Sequence, residues 1–195
     1  MTTGLRLDAV VLAAGAGSRF GGGKLTSRFG DGVLIEGAMR AAFAAPVRTV
    51  TVVVGADPAV VDAAMAFAAG DERLRLVYAK DHALGLSASL RNGVAAVPPG
   101  CEGLYLFLGD MPRIPASIFG EMAEALDHGA MAVAPVFHGR RGHPVLFAPG
   151  LFAELMALEG DKGANGLLDA LGEGLTTVVA PDDGVLFDVD VRGAG

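Results

Sequence analysis

The chain has 195 residues, of which 52% are hydrophobic and 29 are glycine, and its formal net charge at pH 7 is −7. This length supports one substantial core and is too short for two ordinary domains, and the hydrophobic content excludes a disordered chain. The acidic balance excludes nonspecific nucleic-acid binding, which requires a basic face.

The sequence also limits compartment and redox chemistry. No apolar run reaches the roughly 20 residues needed to span a bilayer, so we expect no membrane partner. The start, MTTGLRLDAV, lacks a signal-peptide pattern, and we expect a cytoplasmic protein. Cys101 is the single cysteine, which excludes an internal disulfide and a cysteine-based metal site.

The most informative stretch lies near the N-terminus and reads VVLAAGAGSRFGGGK from Val10 to Lys24. Its apolar start predicts a buried strand, and five glycines surround Arg19 before Lys24 ends the stretch. Glycine lets backbone N–H groups approach a polyphosphate closely, and the two cations offset phosphate charge. The stretch therefore predicts a phosphate-binding loop.

Two common nucleotide-binding motifs do not fit this loop. The P-loop requires Ser or Thr after its lysine, whereas Lys24 is followed by Leu25. The dinucleotide pattern GxGxxG fails because Phe20 stands at the third glycine, and Asp31 comes too early to bind a ribose. The loop belongs to a different class of phosphate site.

Helix and strand patterns alternate after the loop. We predict helices at 33–45 and 58–69, the second with Asp57 as its N-cap, and strands at 49–54 and 74–78. This alternation is typical of a largely parallel sheet, whose ligands bind beyond the carboxyl ends of the strands. The glycine-rich loop lies at one of these ends.

A second candidate site segment surrounds Asp110. The loop KDHALGLSAS, residues 80–89, precedes a predicted helix at 90–97, for which Ser87 is a candidate cap. The predicted strand 103–108 then leads to Asp110, and a carboxylate at the end of a buried strand needs a cation or hydrogen-bond donors. Opposite a phosphate loop that cation is Mg²⁺, which binds one or two carboxylates together with phosphate oxygens. The alternative role for Asp110 is to cap a helix predicted at 115–128.

Basic residues cluster between two extended segments. A predicted strand at 131–137 is followed by HGRRGHP and continues at 145–147. Arg140, Arg141 and His143 in this insertion predict an anion-recognising hairpin. Solvent-facing turn charges are the alternative.

The remaining chain holds three aspartates of interest. Two helices are predicted within 151–171, with Asp161 between them as either an N-cap or a site residue. A strand is predicted at 176–180 and an extended segment at 185–191. Asp188 and Asp190 alternate along this segment and therefore face the same side.

These features resemble the MobA-like nucleotidyltransferases, and within them the molybdenum cofactor (molybdopterin) cytidylyltransferases. The opening motif of that family, LAAGxGxRxGxxK, is matched residue for residue by Leu12, Ala13, Ala14, Gly15, Gly17, Arg19, Gly21 and Lys24. The segments GLSASLRNG, GDMP and GRRGHPVLF resemble further segments of the same family.

The resemblance implies a fold as well. It is an α/β, Rossmann-like three-layer sandwich with a mostly parallel central sheet and a small antiparallel hairpin insertion, of the nucleotide-diphospho-sugar transferase type. One domain would span residues 1–195, with a nucleotide-binding part at about 1–112 and an acceptor-binding part at about 113–195.

Roles for individual residues also follow from the resemblance. It implies nucleotide contacts at Leu12, Ala13, Ala14, Gly15, Gly17, Arg19, Lys24, Gly85, Leu86 and Ser87. It implies a catalytic role for Arg19, Lys24 and Asp110, and Mg²⁺ binding by Asp110 with Asp188 or Asp190. It implies acceptor contacts at Arg140, Arg141, His143 and Asp161.

The implied reaction joins CMP from CTP to the terminal phosphate of molybdopterin and releases pyrophosphate, and Ala14 in LAAG favours CTP. Two segments depart from the family pattern: Asn165 replaces the arginine of GDxGAR, and Val191 and Arg192 replace Thr-Pro in DxDTP. The alternatives are GTP or another small phosphorylated acceptor. An alternative of another class is a non-catalytic protein that carries molybdenum cofactor to a molybdoenzyme.

Overall fold

The central element of the structure is a β-sheet with helices on both faces. The computed structural model describes residues 4–15, 22–55, 57–160 and 163–189. Its strands are β1 (Leu7–Ala13), β2 (Arg28–Phe29), β3 (Gly32–Val33), β4 (Val47–Val54), β5 (Leu74–Tyr78), β6 (Gly103–Leu108), β7 (Ala132–Phe137), β8 (Arg140–Arg141), β9 (Val145–Phe147) and β10 (Leu175–Val179). Its α-helices are α1 (Leu34–Ala44), α2 (Pro58–Phe67), α3 (Leu86–Ala95), α4 (Ile118–Asp127), α5 (Phe152–Met156) and α6 (Asn165–Ala170).

The sheet is mostly parallel, as the sequence predicts. Its order is β10-β7-β9-β6-β1-β4-β5, and β8 also pairs with β7. β1 is parallel to β4 and β6, β4 is parallel to β5, and β10 is parallel to β7. β9 runs antiparallel between β6 and β7, and β8 forms the small antiparallel hairpin with β7. The predicted fold class is confirmed.

Burial on both faces of the sheet explains its apolar strands. All residues of β1 are buried. Ala9 and Val11 pack in the core cluster that contains α1, α2 and α4, whereas Val10 and Leu12 pack in the cluster that contains α3, α5 and α6. Side chains alternate between faces along a strand, so a strand covered on both sides reads as a continuous apolar run. No helix within the described ranges is long and apolar enough to cross a membrane.

Helix α3 begins four residues earlier than the sequence predicted. It starts at Leu86, directly after Gly85. The φ of Gly85 is 106°, a backbone conformation that residues with a Cβ rarely adopt, and it turns the chain sharply into the helix. Ser87 and Ser89 lie in its first turn and are both buried. Their polarity hid the helical pattern, because apolar periodicity was the signal for the helix start.

Two further predictions about extended segments were wrong. Residues 145–147 do not continue the preceding strand; they form β9, inserted between β6 and β7. Residues 185–191 were predicted to be extended, whereas Asp183–Leu186 forms a 3₁₀ helix, and the residues from 187 to 189 join no strand. Asp182 accepts a hydrogen bond from the amide of Gly184, which favours this turn over a strand.

Candidate functional site

The carboxyl ends of β1 and β6 lie side by side and create the candidate site. Leu12 pairs with Leu108 in the register, and the amide of Gly109 donates to the carbonyl of Leu12 at 2.9 Å. A Cβ at Gly109 would come within 2.9 Å of the same carbonyl oxygen. Glycine is therefore needed where the chain turns from β6 toward Asp110.

Lys24 and Asp110 meet at this edge of the sheet. The ammonium of Lys24 donates to Oδ2 of Asp110 at 2.7 Å, across 86 residues of sequence. The two side chains are 14% and 27% exposed, so the pair is partly screened from water and still accessible. The structure thus brings together the cation and the acid that the sequence placed on separate segments. Arg19 and Gly17 lie outside the described residues, and so do Asp161 and Asp190.

A cavity of about 470 Å³ opens beside this ion pair. Its lining consists of Leu12, Ala14, Gly15, Lys24, Leu25, His82, Ala83, Gly85, Leu86, Ser89, Leu108 and Asp110. Most of the described residues predicted to contact a nucleotide are in this set. Its size falls within the range of small-molecule sites, and the sheet edge is the usual place for a ligand in such folds.

A smaller cavity of about 270 Å³ adjoins the first one. Ala13 lines it together with Ala14 and Gly15, and Gly22, Gly23, Gly55, Asp57 and His82 complete its wall. Ala14, Gly15 and His82 line both cavities. The wall is rich in glycine, so backbone groups are within reach of a ligand here.

Ser87 and Ser89 have different surroundings. The amide and the hydroxyl of Ser87 both donate to the carbonyl of Gly160, at 3.1 Å and 2.6 Å, and its side chain is buried away from both cavities. Ser89 lines the larger cavity, is 4% exposed, and has no hydrogen-bond partner for its hydroxyl among the residues that the structure describes. A hydroxyl that lines a cavity can both donate a hydrogen bond to a ligand and accept one from it.

Ser89 was not among the residues predicted to bind a ligand, although its position in the sequence carries a signal for that role. Residues three apart lie on the same face of a helix, so Ser89 shares a face with Leu86 once the helix begins at Leu86. The error in the helix start therefore concealed Ser89.

The C-terminal segment, residues 183–189, lies against the loop that carries Asp110. The amide of Val189 donates to the carbonyl of Asp110 at 3.2 Å. Asp188 is exposed and lines a cavity of about 450 Å³ together with Phe137, His138, Arg140, Asp183, Leu186 and Phe187. The backbone contact brings the second predicted carboxylate segment beside Asp110.

Asp110 by itself fits a site for a magnesium-type ion, whereas Asp188 lines a different cavity. Within the described residues, no group of three or more His, Cys, Asp or Glu side chains forms a metal cage. Mg²⁺ needs only one or two carboxylates when phosphate oxygens and water complete its shell. Asp110, accessible and adjacent to the C-terminal segment, meets that requirement.

The three described residues of the predicted acceptor site differ in their contacts. Arg140 is exposed and lines the 450 Å³ cavity. Arg141 donates to the carboxylate of Asp169 at 2.8 Å, so its charge already has a partner. Of the two arginines, Arg140 lines that cavity and Arg141 does not.

His143 follows the β7–β8 hairpin and lies near enough to Asp110 to sense its charge. Its amide donates to the carbonyl of Val185 at 2.9 Å, and Nδ1 is buried with no partner among the described residues. Burial lowers the pKa of His143, which a hydrogen bond to the backbone of Leu106 and the charge of Asp110 partly oppose. The ring is therefore neutral at neutral pH.

Cys101 has the properties of an unreactive buried thiol. Burial raises the pKa of its thiol to about 12, and Sγ contacts the carbonyl of Gly103 at 3.2 Å. A thiol with such a pKa is unreactive at neutral pH.

Comparison with known proteins identifies the family of this chain. The model of the MobA-like NTP transferase domain matches residues 9–175. Molybdenum cofactor cytidylyltransferase of Escherichia coli (strain K12) is 28% identical over 142 residues, which cover 72% of this chain and 69% of that protein.

Two solved structures have the same fold over nearly the whole chain. Rv0371c of Mycobacterium tuberculosis H37Rv has a TM-score of 0.81 and 26% identity, covering 97% of this chain and 95% of that one. Its homologue from Mycobacterium sp. strain JC1 has a TM-score of 0.82 and 32% identity, with coverages of 96% and 92%. A further crystal structure of Rv0371c is a complex with manganese. Together with the family match, these similarities show that the chain belongs to the MobA-like NTP transferase domain family.

Proposed function

We propose that this nucleotidyltransferase joins CMP from CTP to the terminal phosphate of a molybdopterin-type acceptor and releases pyrophosphate. The observation that carries the proposal is the Lys24–Asp110 pair at 2.7 Å, which lines a cavity of about 470 Å³ at the carboxyl edge of the sheet. A cation and a carboxylate that share one cleft can serve the phosphates and the counter-ion of a nucleoside triphosphate.

The reaction requires little covalent help from the protein. An oxygen of the acceptor phosphate attacks the α-phosphorus in line, the bond from that phosphorus to the bridging oxygen breaks, and the electron pair leaves with pyrophosphate. A phosphate monoester is largely ionised near neutral pH, so no general base is needed. Lys24 and Arg19 would neutralise charge on the phosphates, and the backbone at Gly15 and Gly17 would hold them in position.

Asp110 would hold the metal ion together with Asp188 or Asp190. Mg²⁺, when bound there, would supply positive charge that offsets the negative charge of the phosphates. The hydrogen bond between Val189 and the carbonyl of Asp110 supports this pairing, because it brings the two segments side by side. The manganese complex of Rv0371c is a reason to test Mn²⁺ beside Mg²⁺.

The choice of CTP rests on the sequence motif and on one relative. Ala14, in the LAAG form of the motif, lines the cavity, and the Escherichia coli relative is a cytidylyltransferase. Gly85 and Leu86 form the wall toward which the base or ribose would lie, and Ser89 offers a hydroxyl from the same helix. Ser87 would then support this wall through Gly160 and would not bind the nucleotide with its own polar groups.

The acceptor would lie on the hairpin side of Asp110. Arg140 is available there to bind an anionic group, and the cavity that it lines also contains Phe137, His138 and Phe187. Aromatic rings and a guanidinium are suited to a planar heterocycle that carries phosphate. Arg141 would contribute only if its bond to Asp169 opened.

A non-catalytic carrier of molybdenum cofactor is the second candidate function. Asn165 in place of the usual arginine, and Val191 with Arg192 in place of Thr-Pro, favour it. The intact Lys24–Asp110 pair favours the enzyme.

One assay separates these possibilities. The protein is incubated with Mg²⁺ or Mn²⁺, molybdopterin-type cofactor and each of CTP, GTP, UTP and ATP in turn, and pyrophosphate is measured. We expect pyrophosphate release that requires the acceptor and is fastest with CTP. Release with GTP alone would reassign the base. Cofactor binding without pyrophosphate from any triphosphate would favour the carrier.

A further inference from the structure

Three separate segments of the site meet at Arg113, a residue to which neither the sequence motifs nor the comparisons assign a role. Arg113 lies in the loop after β6, three residues beyond Asp110. Its guanidinium carbon is 3.9 Å from the centre of the Phe187 ring and 5.6 Å from the centre of the Phe29 ring. The two rings are themselves in contact, with their centres 6.3 Å apart.

Each ring belongs to a segment that carries a site residue. Phe29 lies in β2, in the hairpin that follows Lys24, and Phe187 directly precedes Asp188. Both rings are partly buried against the hydrophobic core, so they give the guanidinium a fixed surface. Stacking of a cation on aromatic rings is favourable, and arginine is especially suited to it.

The backbone of the Arg113 loop also contacts the C-terminal segment, at two further points. A Cβ at Gly184 would overlap the carbonyl of Arg113, so only glycine permits this approach. The amide of Val189 bonds the carbonyl of Asp110 at 3.2 Å. The segment is therefore held at both ends by the loop and between them by the side chain of Arg113.

Another connection between two of these segments is the ion pair of Lys24 and Asp110, at 2.7 Å. Under the proposed function, both of these groups are needed by the bound ligand. Lys24 would bind phosphate and Asp110 would bind the metal ion. Ligand binding would therefore weaken the ion pair between them. The contacts of Arg113 with Phe29 and Phe187 involve none of the groups that the ligand needs.

We propose that Arg113 is a positioning residue. It holds the β2–β3 hairpin, the Asp110 loop and the C-terminal segment in fixed relative positions when the ligand recruits Lys24 and Asp110. This inference rests on the proposed function for its second half, which concerns the ligand. Its first half, that Arg113 orders the two neighbouring segments, applies to the protein alone.

The test compares Arg113→Met, which removes the charge and keeps the length, with Arg113→Lys, which keeps a cation. The matched control is Arg40→Met, because Arg40 stacks on Phe67 at 5.6 Å, between α1 and α2 and away from the site. Phe187→Leu provides a second way to remove the stack in case Arg113→Met folds poorly.

The first measurement is amide hydrogen exchange of the protein without ligand. We expect exchange at Val189 and in the β2–β3 hairpin to rise about fivefold in Arg113→Met and in Phe187→Leu, because each loses a cation–π contact. Arg113→Lys should recover most of the protection, and Arg40→Met should leave these amides unchanged. Unchanged exchange in both stack variants would overturn the proposal.

The second measurement is Mn²⁺ binding, followed by the electron paramagnetic resonance signal of free Mn²⁺ with and without CTP. We expect Arg113→Met to weaken the Mn²⁺–CTP complex about fivefold and to leave CTP binding without metal unchanged, because the carboxylates move and the base wall does not. An equal loss with and without metal would overturn the positioning role. If the wild-type protein binds neither CTP nor Mn²⁺, the proposed function fails, and the exchange data still decide whether Arg113 orders the segments.

Discussion

Two residues far apart in the sequence meet in the candidate site. Lys24 and Asp110 form a partly buried pair at 2.7 Å, and both line the main cavity. A pair that served only stability would be worth little at this exposure, because solvent screens the attraction. Its position at the carboxyl edge of the sheet favours a role in ligand binding instead.

Loss of either partner should affect activity far more than stability. We expect Lys24→Met and Asp110→Asn to lower turnover by about 10²–10³-fold, as for other preorganised charges, and to change the free energy of unfolding by about 1 kcal/mol. Turnover from pyrophosphate release and unfolding by denaturant measure the two effects. Arg73→Met is the control, since its pair with Asp71 at 2.8 Å is of similar length and lies at the surface. Wild-type turnover in either site variant would remove that residue from the mechanism.

The two serines of α3 should separate binding from stability. Ser89→Ala should weaken nucleotide binding by about fivefold, the value of one hydrogen bond, with little change in stability. Ser87→Ala should lose about 1 kcal/mol of stability through its bond to Gly160 and change binding less. Calorimetric titration and thermal melts check both, and the reverse pattern would contradict the assignment of Ser89 to the cavity.

His143 should make the protein less stable in mild acid. Because burial lowers its folded-state pKa below 6.5, the unfolded chain takes up a proton first as the pH falls through this value. Protonation therefore favours the unfolded state, and the stability present above pH 6.5 is lost toward lower pH. Denaturant unfolding at pH 7.5 and 5.5 should show a smaller loss for His143→Gln than for the wild type. An equal loss in both proteins would assign the pH dependence to other groups.

At the scale of secondary-structure elements, close backbone approaches hold the C-terminal segment in place. A Cβ at Gly142 would overlap the carbonyl of Val185, which is the acceptor for the amide of His143. Glycine is required here because no larger residue fits against this carbonyl, and not because the backbone of Gly142 has a positive φ. The hairpin that carries Arg140 and the segment that carries Asp188 are thereby fixed relative to each other.

The Gly142→Ala substitution tests this packing. The added methyl group would overlap the backbone of Val185, which cannot move aside as a flexible side chain could. We therefore expect a loss of about 1–3 kcal/mol in the free energy of unfolding. Gly120→Ala in α4 is the matched control, because nothing lies within 4 Å of its added Cβ. The control should gain up to about 1 kcal/mol, since alanine favours a helix over glycine. Equal effects of the two substitutions would contradict the close approach.

At the scale of the whole molecule, ligand binding should raise the melting temperature. A triphosphate at 100 times its dissociation constant stabilises the folded state by about 2.7 kcal/mol. For a chain of this size that corresponds to a shift of about 5–10 °C. We expect CTP with Mg²⁺ to give a larger shift than GTP at equal concentration. A larger shift with GTP would contradict the preference assigned to Ala14.

The order of the elements could be predicted because local patterns control it. The bounds predicted for the strands at 74–78 and 103–108 are those observed, and Asp57 caps α2 as predicted, through the amide of Ala59. Buried apolar runs and caps depend on neighbouring residues, which the sequence shows directly. The start of α3 was missed because its first turn buries two serines, and burial depends on contacts with distant segments.

By itself, the sequence determined the α/β class, the glycine-rich loop, the acid after β6 and the family, because short-range patterns and motifs carry each of these. The tertiary structure decided that Lys24 contacts Asp110 across 86 residues, that Ser89 faces the cavity while Ser87 bonds Gly160, and that Arg141 pairs with Asp169. It also decided that Arg113 joins three segments of the site. The physical reason is that ion pairs, stacking and burial depend on distances in space, which the packing of the sheet and its helices sets.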